Sequence, residues 1–260
     1  MRILIVNDDG IHAEGIKALA VKLAQKHDIT VVAPDSERSA SAHAITLSRP
    51  LRVSKASPSG LEGIPCYIVD GQPVDCTKIG ITHIMQTDVD IVVSGINHGA
   101  NMGSDVLYSG TVSAALDAVI MGRRAMAVSI ASFYPNHLET AAQLALDIID
   151  GGVVDSQPDG VLYNLNVPDL PIGELKGVKV TRQGRTIYED AVDVRHDPRG
   201  NEYIWMAGEL IKSCGNDDTD VCAVRTGYAS LTPLKYDLTD NNQLQPLDCM
   251  IAKLKFHFSE

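Results

Sequence analysis

The sequence has no run of apolar residues that approaches the roughly 18 needed for a membrane-spanning helix. Two carboxylates follow its first short apolar run, which does not fit the layout of a signal peptide. We therefore expect a cytoplasmic protein without a membrane partner. Cysteine is scarce and no two cysteines form a Cys-x-x-Cys pair, so neither a disulfide framework nor a thiolate zinc site is indicated. The cysteines are Cys66, Cys76, Cys214, Cys222 and Cys249.

Basic residues are fewer than acidic residues. The 22 Lys and Arg residues face 33 Asp and Glu residues, a formal net charge of −11, which argues against duplex nucleic acid as a partner. A small anion can still bind where a cation neutralises its pocket. The chain also lacks a GxxxxGKS/T run, a GxGxxG run after its first strand and a GxSxG elbow. These absences exclude a Walker loop and disfavour both a nicotinamide-dependent dehydrogenase and a serine nucleophile.

Strand and helix patterns alternate along the first two thirds of the chain. Its 260 residues and 45% hydrophobic content are ample for one large α/β domain, with or without an appendage. The first strand, helix and strand fit the size of a βαβ unit, so we expect a parallel, right-handed start. The predicted fold is a three-layer, Rossmann-like α/β domain in which helices flank a mostly parallel sheet. Strands are predicted over 3–6, 29–33, 51–56, 66–69, 90–95, 125–130 and 161–167, and helices over 16–27, 73–85, 112–121 and 138–149.

The alternation stops after residue 167. A β-rich arm is predicted to protrude from the core over 184–210, with an Asp-Pro-Arg-Gly turn at 197–200. Trp205 in this arm is interpreted as a packing or subunit-contact residue. These features divide the chain into a catalytic domain, 1–183, and a C-terminal arm and oligomerisation region, 184–260, that returns partly to the core. Antiparallel pieces are expected at 178–183, 189–194 and 203–207. Asp217, Asp218 and Asp220 are expected in a solvated acidic loop with a helix cap. A strand is expected at 228–231 and a helix at 247–254.

The first strand ends in an unusual way, because Asp8 and Asp9 follow it directly and Gly10 allows a sharp turn. Two converging carboxylates repel each other unless a cation or a proton lies between them. This pattern predicts a hard divalent metal at the carboxyl end of the strand. The alternative is a polar turn in which an Asp caps a helix.

Two further loops are predicted to reach the same edge of the sheet, where ligands of open α/β sheets bind. The Ser- and Ala-rich loop 35–46 follows the second strand, and its candidate site residues are Ser39, Ser41, His43 and Thr46. An ordinary solvated loop is the alternative there. After the strand at 90–95, Asn97 and Asn101 offer amide oxygens and donors, and a helix begins at Ser109, Gly110 and Thr111. Backbone N–H groups at such a helix start bind anions, and simple capping by Ser109 or Thr111 is compatible with this role.

Oxygen ligands without cysteine fit Mg²⁺, Mn²⁺ or Ca²⁺ rather than zinc. A hard cation beside an anion-binding helix start describes a phosphoryl site. In this interpretation the metal polarises a phosphate oxygen and activates water, while Asn101 and the helix start bind the other phosphate oxygens. The sequence therefore predicts hydrolysis of a phosphomonoester, and a serine nucleophile is the lesser option.

Five segments of the chain together form a specific pattern: ILIVNDDG, APDSERSASAHAITL, DGQPVDCTKIG, IVVSGINHGANMGSDVLYSGTVSAALDA and GYASLTPL. In these segments and in their order the chain closely resembles the survival protein E (SurE) family of 5′-nucleotidases. The resemblance implies a Rossmann-like domain with a protruding C-terminal part that builds dimers and tetramers. It implies one divalent metal ion per subunit, Mg²⁺ or Mn²⁺, and hydrolysis of nucleoside 5′- and 3′-monophosphates. Some members also cleave short polyphosphate.

Family positions carry over to individual residues of this chain. The metal ligands match Asp8, Asp9, Ser39 and Asn97, of which Asp8, Asp9 and Asn97 are assigned to catalysis. The phosphate contacts match Asn101, Ser109, Gly110 and Thr111. One departure is Ala40, because family members commonly have glycine there. Alanine fits only if that backbone avoids positive φ.

Two other classes of protein share parts of this pattern. A receiver-like phosphorylation switch also places an acidic pair after its first strand, but it needs an acceptor Asp where this chain has Asn97. A non-catalytic module that binds metal and nucleotide would have nearly the same site, and only turnover separates it from an enzyme.

Overall fold

The computed structural model describes residues 1–86, 88–186, 191–207 and 216–254. Its strands are β1 Arg2–Val6, β2 Asp28–Pro34, β3 Val53–Ala56, β4 Cys66–Val69, β5 Ile91–His98, β6 Arg124–Ile130, β7 Val161–Val167, β8 Val178–Val180, β9 Ala191–His196, β10 Glu202–Ala207 and β11 Ala229–Lys235. Its α-helices are α1 Glu14–Leu23, α2 Pro73–Ile79, α3 Gly110–Ile120, α4 Leu138–Asp150, α5 Asp220–Arg225 and α6 Asn241–Ile251. No helix in these ranges has the length and apolar character needed to cross a membrane.

In the part of the chain that the structure describes, nine strands form one sheet in the order β3-β4-β2-β1-β5-β6-β7-β11-β8. The six strands from β4 to β7 in this order are mutually parallel. β3 pairs antiparallel with β4 at one edge, and β11 pairs antiparallel with β7 toward the other. The chain winds outward from β1 in one direction and from β5 in the other, so their boundary is the switch point where open α/β sheets bind ligands.

Helices cover both faces of this sheet, which confirms the predicted three-layer α/β architecture. Ile3 and Ile5 of β1 pack with α1 and α4, whereas Leu4 and Val6 pack with α3 on the opposite face. All four side chains are fully buried. Burial on both faces explains why β1 is a continuous apolar run rather than an alternating one.

Several elements differ in extent from their predicted bounds. The first helix, predicted over 16–27, spans Glu14–Leu23, and the last helix, predicted over 247–254, spans Asn241–Ile251. The helix predicted over 73–85 is α-helical only to Ile79 and continues as a wider π-helical turn over Gly80–Ile84. The strand predicted to end at Gly95 continues to His98, because an irregularity in its pairing with β6 between Ser94 and Asn97 lets it resume. Such bulges reorient side chains at the ends of strands. Here the bulge precedes the predicted site residue Asn97.

The hairpin predicted for the arm is present as β9 and β10, which pair antiparallel with each other and with no strand of the nine-stranded sheet. Its turn is organised by Asp197, whose carboxylate accepts hydrogen bonds from the backbone N–H groups of Arg199 and Asn201. The indole of Trp205 in β10 is 61% exposed. The predicted strand start at Glu189 and the predicted end of the arm at Leu210 lie outside the described residues.

The other C-terminal segments take positions that the sequence did not predict. β8 is an edge strand of the main sheet and pairs parallel with β11, although it was expected among the antiparallel pieces. β11 continues through Thr232 and Pro233, beyond the predicted end at Leu231. Proline has no backbone N–H to donate, and it is tolerated here because β8 pairs with β11 only as far as Leu231. β11 lies in the main sheet, and the division of the chain at residue 184 into a catalytic domain and an arm that returns partly to the core stays a prediction.

Asp220 corrects the interpretation of the acidic cluster. Asp217 and Asp218 are exposed and Thr219 caps α5 as expected, but Asp220 is completely buried. Its carboxylate accepts hydrogen bonds from the backbone N–H groups of Gly103, at 3.0 Å, and Gly184, at 2.8 Å. A buried carboxylate is stable only with such donors. Asp220 therefore links the loop after β5 to the start of the arm.

Candidate functional site

A small cavity of about 250 Å³ opens at the carboxyl ends of β1 and β5, at the switch point of the sheet. It brings together five predicted site residues from three separate segments. Asp8 follows β1, Ser39 lies in the loop after β2, and Asn97 and Asn101 follow the bulge in β5, while Ser109 begins α3. The expected convergence of these loops at one edge is therefore observed.

The Asp8 carboxylate lies at the N-terminus of α3. Its Oδ1 accepts a hydrogen bond from the Thr111 hydroxyl, and the Thr111 backbone N–H donates to the same carboxylate. Burial raises the pKa of Asp8, and these hydrogen bonds oppose that effect. The Ser109 hydroxyl accepts a hydrogen bond from the Val112 N–H at 3.0 Å, which makes it the helix cap. Part of the anion-binding capacity of this helix start is thus used by Asp8 itself.

Gly110 is required by the close packing of Asp8 against α3. A Cβ atom at this position would lie 2.9 Å from Asp8 Oδ2 and 2.8 Å from the Ser41 hydroxyl. The Ser41 hydroxyl is buried and has no hydrogen-bond partner among the described residues. Gly110 and Ser41 therefore form the wall behind the Asp8 carboxylate, so the glycine in the Ser-Gly-Thr sequence has a steric reason.

Asp9 also has a raised pKa. Burial and then the charge of Asp8 raise its pKa from 3.8 to about 7, with a smaller contribution from Glu37. A hydrogen bond from the His98 backbone opposes this increase. The second carboxylate oxygen, Oδ2, is buried and has no hydrogen-bond partner among the described residues. An unpartnered, buried carboxylate oxygen beside a second carboxylate is the environment that a cation stabilises.

The turn that presents these acids is held by Asn7. Its amide nitrogen donates to the Gly10 carbonyl at 2.9 Å, and the side chain is fully buried. Gly10 has a φ of +95°, a conformation that side-chain-bearing residues rarely adopt. Asn7 was not predicted as a site residue, although its place in the Asn-Asp-Asp-Gly sequence is the signal that could have identified it.

Asn97 is oriented by a local hydrogen bond. Its amide nitrogen donates to the Gly99 carbonyl at 2.8 Å. Because the nitrogen is committed to this carbonyl, Oδ1 is the amide atom left for a cation. Next to it, His98 lines the same cavity, and its Nε2 is buried without a hydrogen-bond partner among the described residues. Burial lowers the pKa of His98, which favours the neutral imidazole.

The loop that carries Ser39 has a positive φ at Ala40. Ala40 has a φ of +53°, so alanine occupies the left-handed region that glycine adopts most readily. This conformation costs alanine about 1 kcal/mol, and tertiary hydrogen bonds compensate for it. The Arg38 N–H donates to the Asp8 carbonyl at 2.7 Å, and the Ala42 N–H donates to the Tyr108 carbonyl at 3.1 Å. The condition that Ala40 avoid positive φ is therefore not met, yet the loop still places Ser39 at the cavity.

Glu37 is a third carboxylate near the site that the sequence did not single out. It accepts a hydrogen bond from the Ser39 hydroxyl, and its charge raises the pKa values of both Asp8 and Asp9. Only its place in the loop after β2 could have identified it. The site therefore concentrates more negative charge than the Asp pair alone.

Asn101 is anchored to the sheet by buried polar side chains. Its backbone N–H donates to Asn166 Oδ1 at 2.8 Å, and its carbonyl accepts from the amides of Asn164 and Asn166. Its own amide nitrogen donates to the Ser129 hydroxyl at 2.8 Å. Asn164 and Asn166 are fully buried in β7. This network fixes the loop after β5, and neither β7 residue was predicted as part of the site.

Two candidates from the loop 35–46 lie elsewhere. His43 Nε2 lies 3.3 Å from Asp117 Oδ1 on α3 and lines a different cavity. The backbone N–H of Thr46 donates to Asp75 Oδ1 at 3.1 Å, at the start of α2. These two residues attach the loop to the helices and do not line the site cavity.

The donors of the site are carboxylate, hydroxyl and amide oxygens. The described part of the chain contains no cluster of three or more His, Cys, Asp or Glu residues arranged to hold a metal. A site with two Asp carboxylates, Ser39 and Asn97 suits a hard cation that takes oxygen ligands and retains water, such as Mg²⁺ or Mn²⁺. Fold and site together define a Rossmann-like α/β protein with an oxygen-rich, acidic site at the sheet's switch point.

Comparison with known proteins identifies the family. A sequence model described as "Survival protein SurE" matches residues 3–190. A 5′-nucleotidase SurE from Kosmotoga olearia is 46% identical over 247 residues, covering 95% of this chain and 97% of that protein. Another from Natranaerobius thermophilus is 46% identical over 250 residues, covering 93% and 95%. The crystal structure of the Sure protein from Aquifex aeolicus aligns with a TM-score of 0.85 at 36% identity, covering 96% of this chain and 100% of that one. The chain belongs to the SurE family, which confirms the resemblance seen in its motifs.

Proposed function

We propose that this protein is a divalent-metal-dependent phosphomonoesterase that hydrolyses nucleoside 5′-monophosphates, and also 3′-monophosphates, to nucleoside and phosphate. The observation that carries the proposal is the buried, unpartnered Oδ2 of Asp9 beside Asp8 at the switch point of the sheet. The name 5′-nucleotidase, which belongs to relatives with 46% identity over nearly the whole chain, supports the substrate class.

One divalent ion per subunit, Mg²⁺ or Mn²⁺, is proposed as the cofactor. Asp8, Asp9, Ser39 and Asn97 would hold it, and the raised pKa values of the two acids fit this role because a cation removes their mutual repulsion. When bound, such an ion polarises a phosphate oxygen and lowers the pKa of water. The Thr111 hydroxyl keeps Asp8 in place and favours its ionised form.

The phosphate is proposed to bind where the cavity meets the N-terminus of α3. Ser109 and Asn101 line the cavity there, and the helix dipole favours an anion at this end. Gly110 and Thr111 were predicted as phosphate contacts from the resemblance, and in the structure they also pack against Asp8. We propose that they serve the phosphate through the helix start and the metal through Asp8.

Phosphate release from a panel of nucleoside monophosphates, ribose 5-phosphate and short polyphosphate tests this function. Release should vanish with EDTA and return with Mn²⁺ or Mg²⁺. Asp9→Asn should lose at least a hundredfold in metal-dependent turnover while its unfolding curve stays cooperative. Asp159→Asn removes an exposed carboxylate and serves as the matched control. No release with any metal from a folded protein would reject the enzyme and leave a non-catalytic module that binds metal and nucleotide.

We also propose that the protein works in the cytoplasm as a homodimer or homotetramer. Helix α6 supports this proposal, because none of its residues is buried in the single chain. Leu244, Leu247 and Ile251 recur at helical spacing and are 50–55% exposed, as expected of a face that another subunit covers. Sedimentation equilibrium tests the assembly, and a monomer at micromolar concentration would contradict it.

A further inference from the structure

A second, larger cavity adjoins the site, and none of the residues proposed to hold metal or phosphate lines it. It encloses about 600 Å³ and shares Gly99, Ala100, Asp105 and Phe133 with the smaller site cavity. Its other walls come from the loops after β5, β6 and β7, from the start of the arm and from α5 and the residues after it, so it lies at the same carboxyl edge of the sheet. Cavities of this size accommodate a small organic ligand rather than a single phosphate group.

The walls of this cavity are mainly apolar. They include Met102, Pro168, Leu170, Val221 and Val224. The polar and charged residues of the wall are Asp105, Ser132, Asp169, Thr186 and Arg225. Of these, Asp169 already accepts hydrogen bonds from the backbone N–H groups of Asn136 and His137 and lies 3.0 Å from the His137 ring. A ligand with apolar faces and a few polar edge atoms fits these surroundings.

Phe133 stands at the junction of the two cavities. Its side chain is 78% exposed in the single chain, and its ring lies close to Gly99, where a Cβ atom would be 3.0 Å from Phe133 Cε1. The loop that carries it is tightly held, since the Ala131 N–H donates to the Val167 carbonyl and the Ser132 N–H to the Ile130 carbonyl, both at 2.8 Å. The ring is therefore presented on a short, hydrogen-bonded loop beside the phosphate end of the site.

We propose that this second cavity binds the nucleobase of the substrate and that Phe133 stacks on it. This inference rests on the proposed nucleotidase function and names the part of the site that selects nucleotides over other phosphomonoesters. The phosphate occupies the small cavity, the sugar passes Gly99 and Ala100 at the shared wall, and the base enters the large cavity. Purines stack over a larger area than pyrimidines, so they should be the better substrates.

The test compares substrates with and without a base. In Phe133→Ala, kcat/KM for AMP should fall about tenfold, the scale of one lost base–aromatic stack. The value for ribose 5-phosphate, which has the same phosphate and sugar, should change less than twofold. Phe133→Trp should retain the preference for AMP. Tyr134→Ala is the matched control, because Tyr134 is the next residue, is 90% exposed and lines neither cavity.

The outcomes separate this inference from the proposed function. Equal losses for AMP and ribose 5-phosphate in Phe133→Ala, or no loss for either, would overturn the nucleobase site while leaving the phosphatase intact. If the wild-type protein hydrolyses neither compound, the proposed function fails. In that case titration calorimetry tests the base site: Phe133→Ala should raise the dissociation constant for AMP and leave that for ribose 5-phosphate nearly unchanged.

Discussion

Protonation of Asp9 should make the stability of the metal-free protein depend on pH. In the folded chain the pKa of this carboxyl is raised from 3.8 to about 7, first by burial and then by the charge of Asp8. Between these two values the folded protein keeps a proton that the unfolded chain has released. The stabilisation from this proton is complete below about pH 4 and is lost as the pH rises through 7.

The size of the effect follows from the two pKa values. Each tenfold change in proton affinity corresponds to about 1.4 kcal/mol. The increase from 3.8 to about 7 at Asp9 would therefore remove at most about 4 kcal/mol of stability between pH 4 and pH 8. The side chain keeps some contact with solvent, which screens its charge, so we expect about 2 to 4 kcal/mol.

Urea unfolding in EDTA at several values between pH 4 and 8, for the wild type and Asp9→Asn, measures this dependence. The variant carries a neutral amide, so it should match the wild type near pH 4 and exceed its free energy of unfolding by about 2 to 4 kcal/mol at pH 8. The difference between the two proteins cancels the titration of surface carboxylates such as Asp90, whose pKa is lowered by its hydrogen bonds to Arg2. A difference that does not change with pH would refute the raised pKa of Asp9 in the folded protein.

Divalent metal should reverse this trend. Because Mg²⁺ or Mn²⁺ binds the ionised pair, it should stabilise the wild type at pH 8 and bind more weakly as Asp9 takes up its proton below about pH 7. Below that value the dissociation constant should rise about tenfold for each pH unit, as one proton competes for the site. Thermal unfolding with and without metal across the same pH range measures the shift, and Asp9→Asn should show little of it.

Three substitutions test other contacts. Thr111→Val removes the hydroxyl that donates to Asp8 and should weaken metal binding about tenfold by calorimetry, whereas Thr111→Ser should restore it; unchanged affinity would contradict the assigned role. Gly15→Ala places a Cβ atom against the carbonyl oxygen of Ile96, so it should lower the free energy of unfolding by about 1 to 3 kcal/mol instead of producing the gain usual for this change in a helix. Asp220→Ala leaves buried backbone N–H groups without an acceptor and should cost about 2 to 4 kcal/mol in urea unfolding, and a neutral result would show that water replaces the carboxylate.

Local patterns predicted much of the fold. The apolar run of β1 and the spacing of α1 and α4 are visible within windows of about 18 residues or fewer, because burial on a strand or a helix face follows a fixed period. The Asp-Pro-Arg-Gly sequence at 197–200 likewise determines its own turn through hydrogen bonds within five residues. Parallel pairing of β1 with β2 follows from the length of one βαβ unit.

The sequence predicted those site residues that lie at or just after the ends of strands. Asp8, Asp9 and Asn97 stand directly after buried strands or at their ends, and parallel strands bring such positions to one edge. His43 and Thr46 were grouped with Ser39 because all three share one loop, yet the loop turns away toward α2 and α3 after Ser41. A loop has no fixed period, so its sequence does not determine which of its side chains face the site.

The sequence by itself determined the acidic strand end, the parallel α/β core and the helix start at Ser109. Only the tertiary structure decided that the Asp8 carboxylate binds that helix start through Thr111, 103 residues away, and that Asp220 is buried against Gly103, 117 residues away. Both contacts join segments whose distance depends on the strand order of the whole sheet. An Asp in an acidic loop and an Asp in a buried network have the same local sequence signature, and only long-range packing supplies the donors that distinguish them.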